Sequence, residues 1–343
     1  PNAFTMEASA FNLEVPAGAT LSNAGVVAEP VDLTLPAYFG SGVVSGASLL
    51  VEPDRLRLGG SVGVGFDVPD LRFDDQETLV IKDAVGVLVR KGDTYVIVMR
   101  GGRLHITLPG NRPEILLGEI RLNSAGQIEV ARLPAFDMDV AGATLTINRA
   151  LVTNSGLEVS EAIFQWPDNL GGKYKNVAGV GISAGGDFLL ADNQNIALPN
   201  IELLGGETLG VGNILADLIE ESYGYALELA SGALHVMLLQ QNDHTLDLAA
   251  GEVDVDGHFR GRTVQDTLTL DVAGADLVIA GLSSGWPVDD QHGLAIAPTG
   301  YRARGATQVD AGQGTWQLPA SLGGETLAFD APIVIDGEGL HIN

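Results

Sequence analysis

Leu71-Arg72-Phe73-Asp74-Asp75-Gln76-Glu77-Thr78-Leu79 opens a stretch that closes on Gly102-Arg103-Leu104-His105-Ile106. The same frame returns 130 positions later without a gap. There it opens as Ile201-Glu202-Leu203-Leu204-Gly205-Gly206-Glu207-Thr208-Leu209 and closes as Gly232-Ala233-Leu234-His235-Val236. A fixed internal period points to stacked supersecondary units, each too small to bury its own apolar face.

Two further signatures extend the pattern. Phe11-Asn12-Leu13-Glu14-Val15 recurs as Phe136-Asp137-Met138-Asp139-Val140 and as Leu268-Thr269-Leu270-Asp271-Val272. An alternating run that ends in proline appears at Leu33-Thr34-Leu35-Pro36, Phe164-Gln165-Trp166-Pro167 and Trp316-Gln317-Leu318-Pro319. The expected fold is therefore all-β, an elongated tandem-repeat array of antiparallel strands built on a double unit of about 130 residues. The order is A-B-A-B-A, with A units at 1–62, 136–190 and 268–343 and B units at 63–135 and 191–267.

Within units the apolar period is two, the mark of strands with one wet face. Turn residues such as Asn154-Ser155-Gly156, Asp256-Gly257 and Asp336-Gly337 separate the strands, as antiparallel hairpins require. One segment resists. Asn213-Ile214-Leu215-Ala216-Asp217-Leu218-Ile219-Glu220-Glu221-Ser222 has a capping residue and helix-like apolar spacing. Its gapless counterpart, 83–92, is β-like, so a strand is expected, with a short helix as the alternative.

The last A unit is longer than its siblings, and the excess runs from 281 to 312. It is read as an end cap for the array, or as a ligand or partner loop carrying Trp286, Asp289, Asp290, Tyr301 and Arg304.

Composition narrows the function classes. The chain has 343 residues, 44 of them acidic and 18 basic, for a net charge of −26. Such a surface repels phosphate backbones and anionic headgroups, so nucleic acid is excluded as the expected partner. There is no cysteine, hence no disulfide and no thiolate chemistry. No apolar run reaches the roughly 18 residues of a membrane helix, so no transmembrane segment is expected. The opening Pro1, with no initiator Met, is expected to follow removal of a targeting segment.

Catalytic signals are sparse. Gly181-Ile182-Ser183-Ala184-Gly185 matches the nucleophile-elbow pattern, yet Gly186-Asp187 and an apolar strand follow it where a helix should begin, so a hairpin turn is expected. The six histidines lack metal-site spacing, and His105 and His235 share one repeat position. Asp254 and Asp256 are the candidate cation ligands, with calcium the ion their oxygens would suit, and a solvated turn is the favoured reading. No other cofactor is expected.

The expected function is a non-catalytic structural subunit or segment of an extracellular or cell-surface assembly: a filament, sheath or stalk. Its partners would be further copies of the chain or other surface proteins. The alternatives are a lipid carrier with an apolar β groove, placed in the periplasm, and a glycan-binding or adhesive module.

Overall fold

The computed structural model describes residues 3–8, 11–15, 17, 19–22, 25–34, 43–51, 56–59, 66–91, 94–123, 125, 127–204, 209–238, 242–272, 275–280, 283, 286–289, 293–294, 309–311, 314–317, 325–329, 333–336 and 339–342. Nearly all of the regular structure among the described residues is β, in several antiparallel sheets, with a 3-10 turn at Asp168–Leu170 and a left-handed turn at Ala191–Asn193. The chain forms two compact units. One comprises 1–137, 147–162 and 178–189; the other comprises 138–146, 163–177 and 190–343.

The first unit shows the organising motif over 66–122. Strands Val85–Lys91 and Thr94–Arg100 form a hairpin, and the chain runs on at either end into Leu79–Lys82 and Arg103–Ile106, which pair with each other in a separate sheet. Phe66–Asp67 pairs with the first of these ladders and Leu71–Arg72 with the second. A third pass divides the same way, with Ile120–Leu122 on one sheet and Glu114–Leu116 on the other.

The break falls at Asp83, whose φ of 54° lies in the left-handed region. Asp and Asn enter that region more readily than other non-glycine residues, because their short polar side chains bond locally. Leu71, Leu79, Leu104, Ile97, Met99 and Leu122 are fully buried. Burying a side chain of this size stabilises by roughly 1.5–3 kcal/mol.

The second unit repeats this pairing scheme at 196–253. Leu209–Glu221 pairs with Gly224–Leu238, and Asn242–Val253 lies beside them. Raising both residue numbers by 130 turns pair after pair of the first segment into one of the second. Phe66↔Gly86 becomes Ile196↔Ala216, Leu71↔Ile81 becomes Ile201↔Val211, His105↔Val80 becomes His235↔Gly210, and Lys91↔Thr94 becomes Glu221↔Gly224. Asn213 takes the place of Asp83 and has the same φ of 54°. Here the strand runs through the bend, with the register shifting between Gly212 and Leu215.

The segment 213–222 with helix-like spacing thus lies mostly within strand Leu209–Glu221. Ile214, Ala216 and Leu218 are buried and Ile219 is exposed, the period-two pattern of a strand. Described pieces of the 281–312 insertion are also strand. Trp286–Asp289 pairs with Phe259–Thr263, and Gly293–Leu294 pairs with Trp286–Asp289.

Trp166 is fully buried in the second unit. Its indole N–H donates to the Pro199 carbonyl at 2.8 Å, and its ring meets Phe164 edge-on at 4.7 Å. The turn that follows packs on strand Ile201–Leu204: a Cβ on Gly171 (φ 90°) would lie 2.6 Å from that of Glu202, and Lys173 pairs with Glu202 at 2.8 Å.

The cross-strand pair Phe66/Gly86 and its counterpart Ile196/Ala216 divide volume differently. A Cβ on Gly86 would lie 2.6 Å from the Phe66 ring, so the larger side chain opposite requires the smaller residue. Gly86→Ala is expected to lose about 1–3 kcal/mol in urea unfolding by overpacking. Adding Phe66→Ile, which copies the second unit, is expected to recover at least half of that loss. Two additive losses would show that the pairs are not equivalent.

Candidate functional site

The chemically densest spot among the described residues is the turn between Asn242–Val253 and Phe259–Thr263. Asp254, Asp256 and His258 place one ligand atom each within 4.8 Å of one another. The backbone explains why. Asp254 N–H donates to the His258 carbonyl and Gly257 N–H to the Asp254 carbonyl, both at 3.0 Å, with Gly257 in the left-handed region at φ 81°. This is a three-residue hairpin loop closed by a glycine bulge. Asp254 Oδ1 accepts from Asp256 N–H at 3.0 Å and from His258 N–H at 2.9 Å, while its Oδ2 lies 3.4 Å from His258 Nδ1.

A second turn presses on the first. Ala141 and Gly142 both have positive φ, and a Cβ on Gly142 would stand 2.6 Å from Gly257 Cα. That contact brings Asp139 near the cluster. Burial raises the Asp139 carboxyl above its ordinary value; the Gly142 N–H, at 3.4 Å, partly opposes the shift and the Asp256 charge adds to it. Sequence reading did not single out Asp139, because only the contact between these two turns places it here.

The same hydrogen-bonded loop recurs in the first unit without a carboxylate at its first position. Asn123 Oδ1 accepts from Ala125 N–H and Gln127 N–H, both at 2.9 Å, and Asn123 N–H donates to the Gln127 carbonyl at 2.8 Å. At Ser183 the hydroxyl plays that part. It accepts from Gly185 and Asp187 N–H at 3.1 Å and donates to Asp187 Oδ2 at 3.0 Å. Ser183 is thus a hairpin-turn residue, and a Cβ on the adjacent Gly186 would lie 2.4 Å from Thr78 Oγ1.

Amide, hydroxyl and carboxylate oxygens build one loop, so Asp254 is accounted for by backbone hydrogen bonding. The ligand atoms that could face an ion are one each from Asp254, the exposed Asp256 and His258. Calcium takes six to eight oxygens, more than this turn supplies.

The other sequence candidates are dispersed. Trp286 and Asp289 lie on the strand paired with Phe259–Thr263. Asp290, Tyr301 and Arg304 lie outside the described residues. His105 and His235 hold equivalent register positions. His235 Nδ1 is 3.3 Å from Thr245 Oγ1, whereas the buried Nε2 atoms of His105 and His244 have no hydrogen-bond partner among the described residues.

One feature lacked any sequence signal. An open cavity of about 450 Å³ is lined by Arg132, Leu133, Arg149, Ala150, Leu151 and Ser160. Arg132 faces Leu151 across the ladder, the Ser160 hydroxyl donates to the Arg149 carbonyl at 3.3 Å, and Arg149 Nε stands 3.5 Å from Glu161. Arg149 is 78% exposed, so its ion pair is worth little.

No protein-family model, no curated protein and no solved structure matches the chain.

Asp254→Asn, which installs the amide of Asn123, is expected to leave the melting temperature almost unchanged, whereas Asp254→Ala loses about 1 kcal/mol. Millimolar calcium is expected to leave the wild-type melting curve in place, and a calcium-dependent rise lost in Asp254→Asn would establish an ion site. Asp139 carries the pH signature. Its folded pKa is raised, so the folded state holds the proton more tightly and stability falls as pH rises through that range. Asp139→Asn is therefore expected to raise the melting temperature at pH 7 and to lose the advantage near pH 3, below the ordinary carboxylate pKa. An equal effect at both pH values would contradict this.

Proposed function

We propose that this chain is a non-catalytic structural subunit, or a segment of one, in an extracellular or cell-surface assembly, and that it self-associates. The observation that carries the reading is the reuse of one bent-hairpin pairing scheme at 66–106 and 196–236. A module that recurs in register within a chain suits serial stacking, where each unit buries apolar surface against the next. The described inward-facing positions support this over a lipid groove: Leu71, Leu79, Ile81, Leu104, Val211, Leu227 and Leu234 are all at or near zero exposure. Within each unit these side chains are packed away from solvent, whereas an acyl-chain carrier needs an open apolar stripe.

The acidic surface suits a solvent-exposed setting, and a chain without cysteine carries no thiol to be oxidised there. Among the described residues no helix is long and apolar enough to cross a membrane. The outward faces offer isolated apolar residues for contact, including Tyr223 at 87% and Tyr174 at 71% exposure.

Native mass spectrometry of the purified chain tests the reading. A ladder of homo-oligomers without added mass is the expected result. A monomer carrying discrete lipid-sized adducts would overturn it in favour of the carrier.

A further inference from the structure

The open cavity of the first unit gathers positive charge on a chain whose net charge is −26. Its lining comes from three neighbouring passes of one sheet, Ile128–Leu133, Ala143–Thr153 and Gly156–Gln165. Arg132 stands opposite Leu151 in the ladder. Arg149 lies two residues before Leu151 and so shares its face of the strand. The two arginines are diagonal neighbours on that face, with backbones ~7–8 Å apart. Side chains as long as these can converge on one anion from that spacing, and a guanidinium offers a fork of donors that matches a carboxylate.

Neither cation is well neutralised. The Arg132 guanidinium makes no hydrogen bond or ion pair among the described residues. Arg149 meets Glu161 at 3.5 Å through Nε. Elsewhere in the unit, Arg72, Arg100, Arg103 and Arg121 each hold a carboxylate within 3.3 Å. Two like charges left this close repel one another, and a bound anion relieves the repulsion. The rest of the lining is mixed. The Ser160 hydroxyl gives a polar edge, while Leu133, Ala150 and the partly exposed Leu151 give an apolar one.

We propose that this cavity binds a small organic carboxylate, its head held by Arg132 and Arg149 and its apolar body laid against Leu151. The volume of about 450 Å³ falls within the roughly 300–1,000 Å³ of small-molecule sites. Two arginines beside one glutamate leave a single local positive charge. One carboxylate neutralises that charge, whereas a phosphate dianion overshoots it and also meets the repulsion of the acidic remainder of the chain. The same repulsion disfavours polyanions such as nucleic acids. The site requires no self-association, so it stands apart from the structural reading above.

The test is titration of the full chain with benzoate, followed by backbone amide NMR, with inorganic phosphate and benzylammonium as the comparison ions. Benzoate is expected to shift the amides of Arg132, Arg149, Leu151 and Ser160 saturably. Phosphate is expected to bind at least about ten-fold more weakly, and benzylammonium to leave these amides in place. Arg132→Gln and Arg149→Gln are each expected to weaken benzoate at least about ten-fold. Glu161→Gln is expected to tighten it, because the competing carboxylate is gone. Thermal melting checks that each variant is folded. Should a glutamine variant unfold, the lysine variant at that position replaces it, with a partial loss expected because an ammonium lacks the planar fork. Absence of saturable benzoate shifts overturns the proposal, as do shifts that survive in both folded arginine variants. Phosphate that binds as tightly as benzoate overturns the organic ligand. Wild-type oligomers that dissociate in step with benzoate binding assign the cavity to a carboxylate side chain of a second copy and overturn the free ligand.

Discussion

A single left-handed residue midway along a long strand governs this architecture. At Asp83 the backbone turns through φ 54°, and the strand changes ladders there, Leu79–Lys82 pairing in one sheet and Val85–Lys91 in another. Asn213 repeats the conformation at the matched position. An extended strand presents its two faces to one pair of environments along its whole length. A strand shifted by one residue at a bend can bury alternate faces in succession. That lets a three-pass meander contribute to two sheets and lets Phe66–Asp67 and Leu71–Arg72 pair with opposite ends of it.

Close backbone approach is the second constraint, and small residues mark where it occurs. Gly142 against Gly257 leaves no room for a side chain, and Gly186 leaves none against Thr78. These turn contacts, more than any ion, bring Asp139, Asp254, Asp256 and His258 together. The matched loops at Asp254, Asn123 and Ser183 show three different oxygen acceptors satisfying equivalent N–H groups. The pairs Phe66/Gly86 and Ile196/Ala216 make the corresponding point about volume: side-chain size is exchanged across a ladder while the register is held.

Much of the strand pattern was legible in the sequence, because period-two alternation and turn residues are local signals. The frames beginning at Leu71 and Ile201 fall on ladders with the register pairs Leu71↔Ile81 and Ile201↔Val211. The segment from Asn213 was ambiguous for a physical reason. The strand buries Ile214, Ala216 and Leu218, while the apolar Leu215 and Ile219 fall on its more open face, and that sequence of apolar residues imitates helical spacing until cross-strand partners are known. The candidate site was only half legible. Asp254 and Asp256 stood out as an acidic turn, but their role in closing the loop, the approach of Asp139 and the cavity at Arg132 and Arg149 all depend on partners distant in sequence.

The shared register is the claim on which the rest stands, and the absence of cysteine makes it directly measurable. Cysteine pairs would be introduced at Val89 with Val96 and at Ile219 with Ala226, which the ladders place opposite one another. Slipped controls would use Val89 with Ile97 and Ile219 with Leu227. A disulfide needs Cα atoms within about 7 Å and Cβ vectors on the same side, and a one-residue slip moves a side chain to the opposite face. Mild oxidation should close both opposed pairs and leave both slipped pairs as thiols. Closure at 89/96 with failure at 219/226, or closure of the slipped pair at 219/227, would contradict a common pairing scheme in the two units.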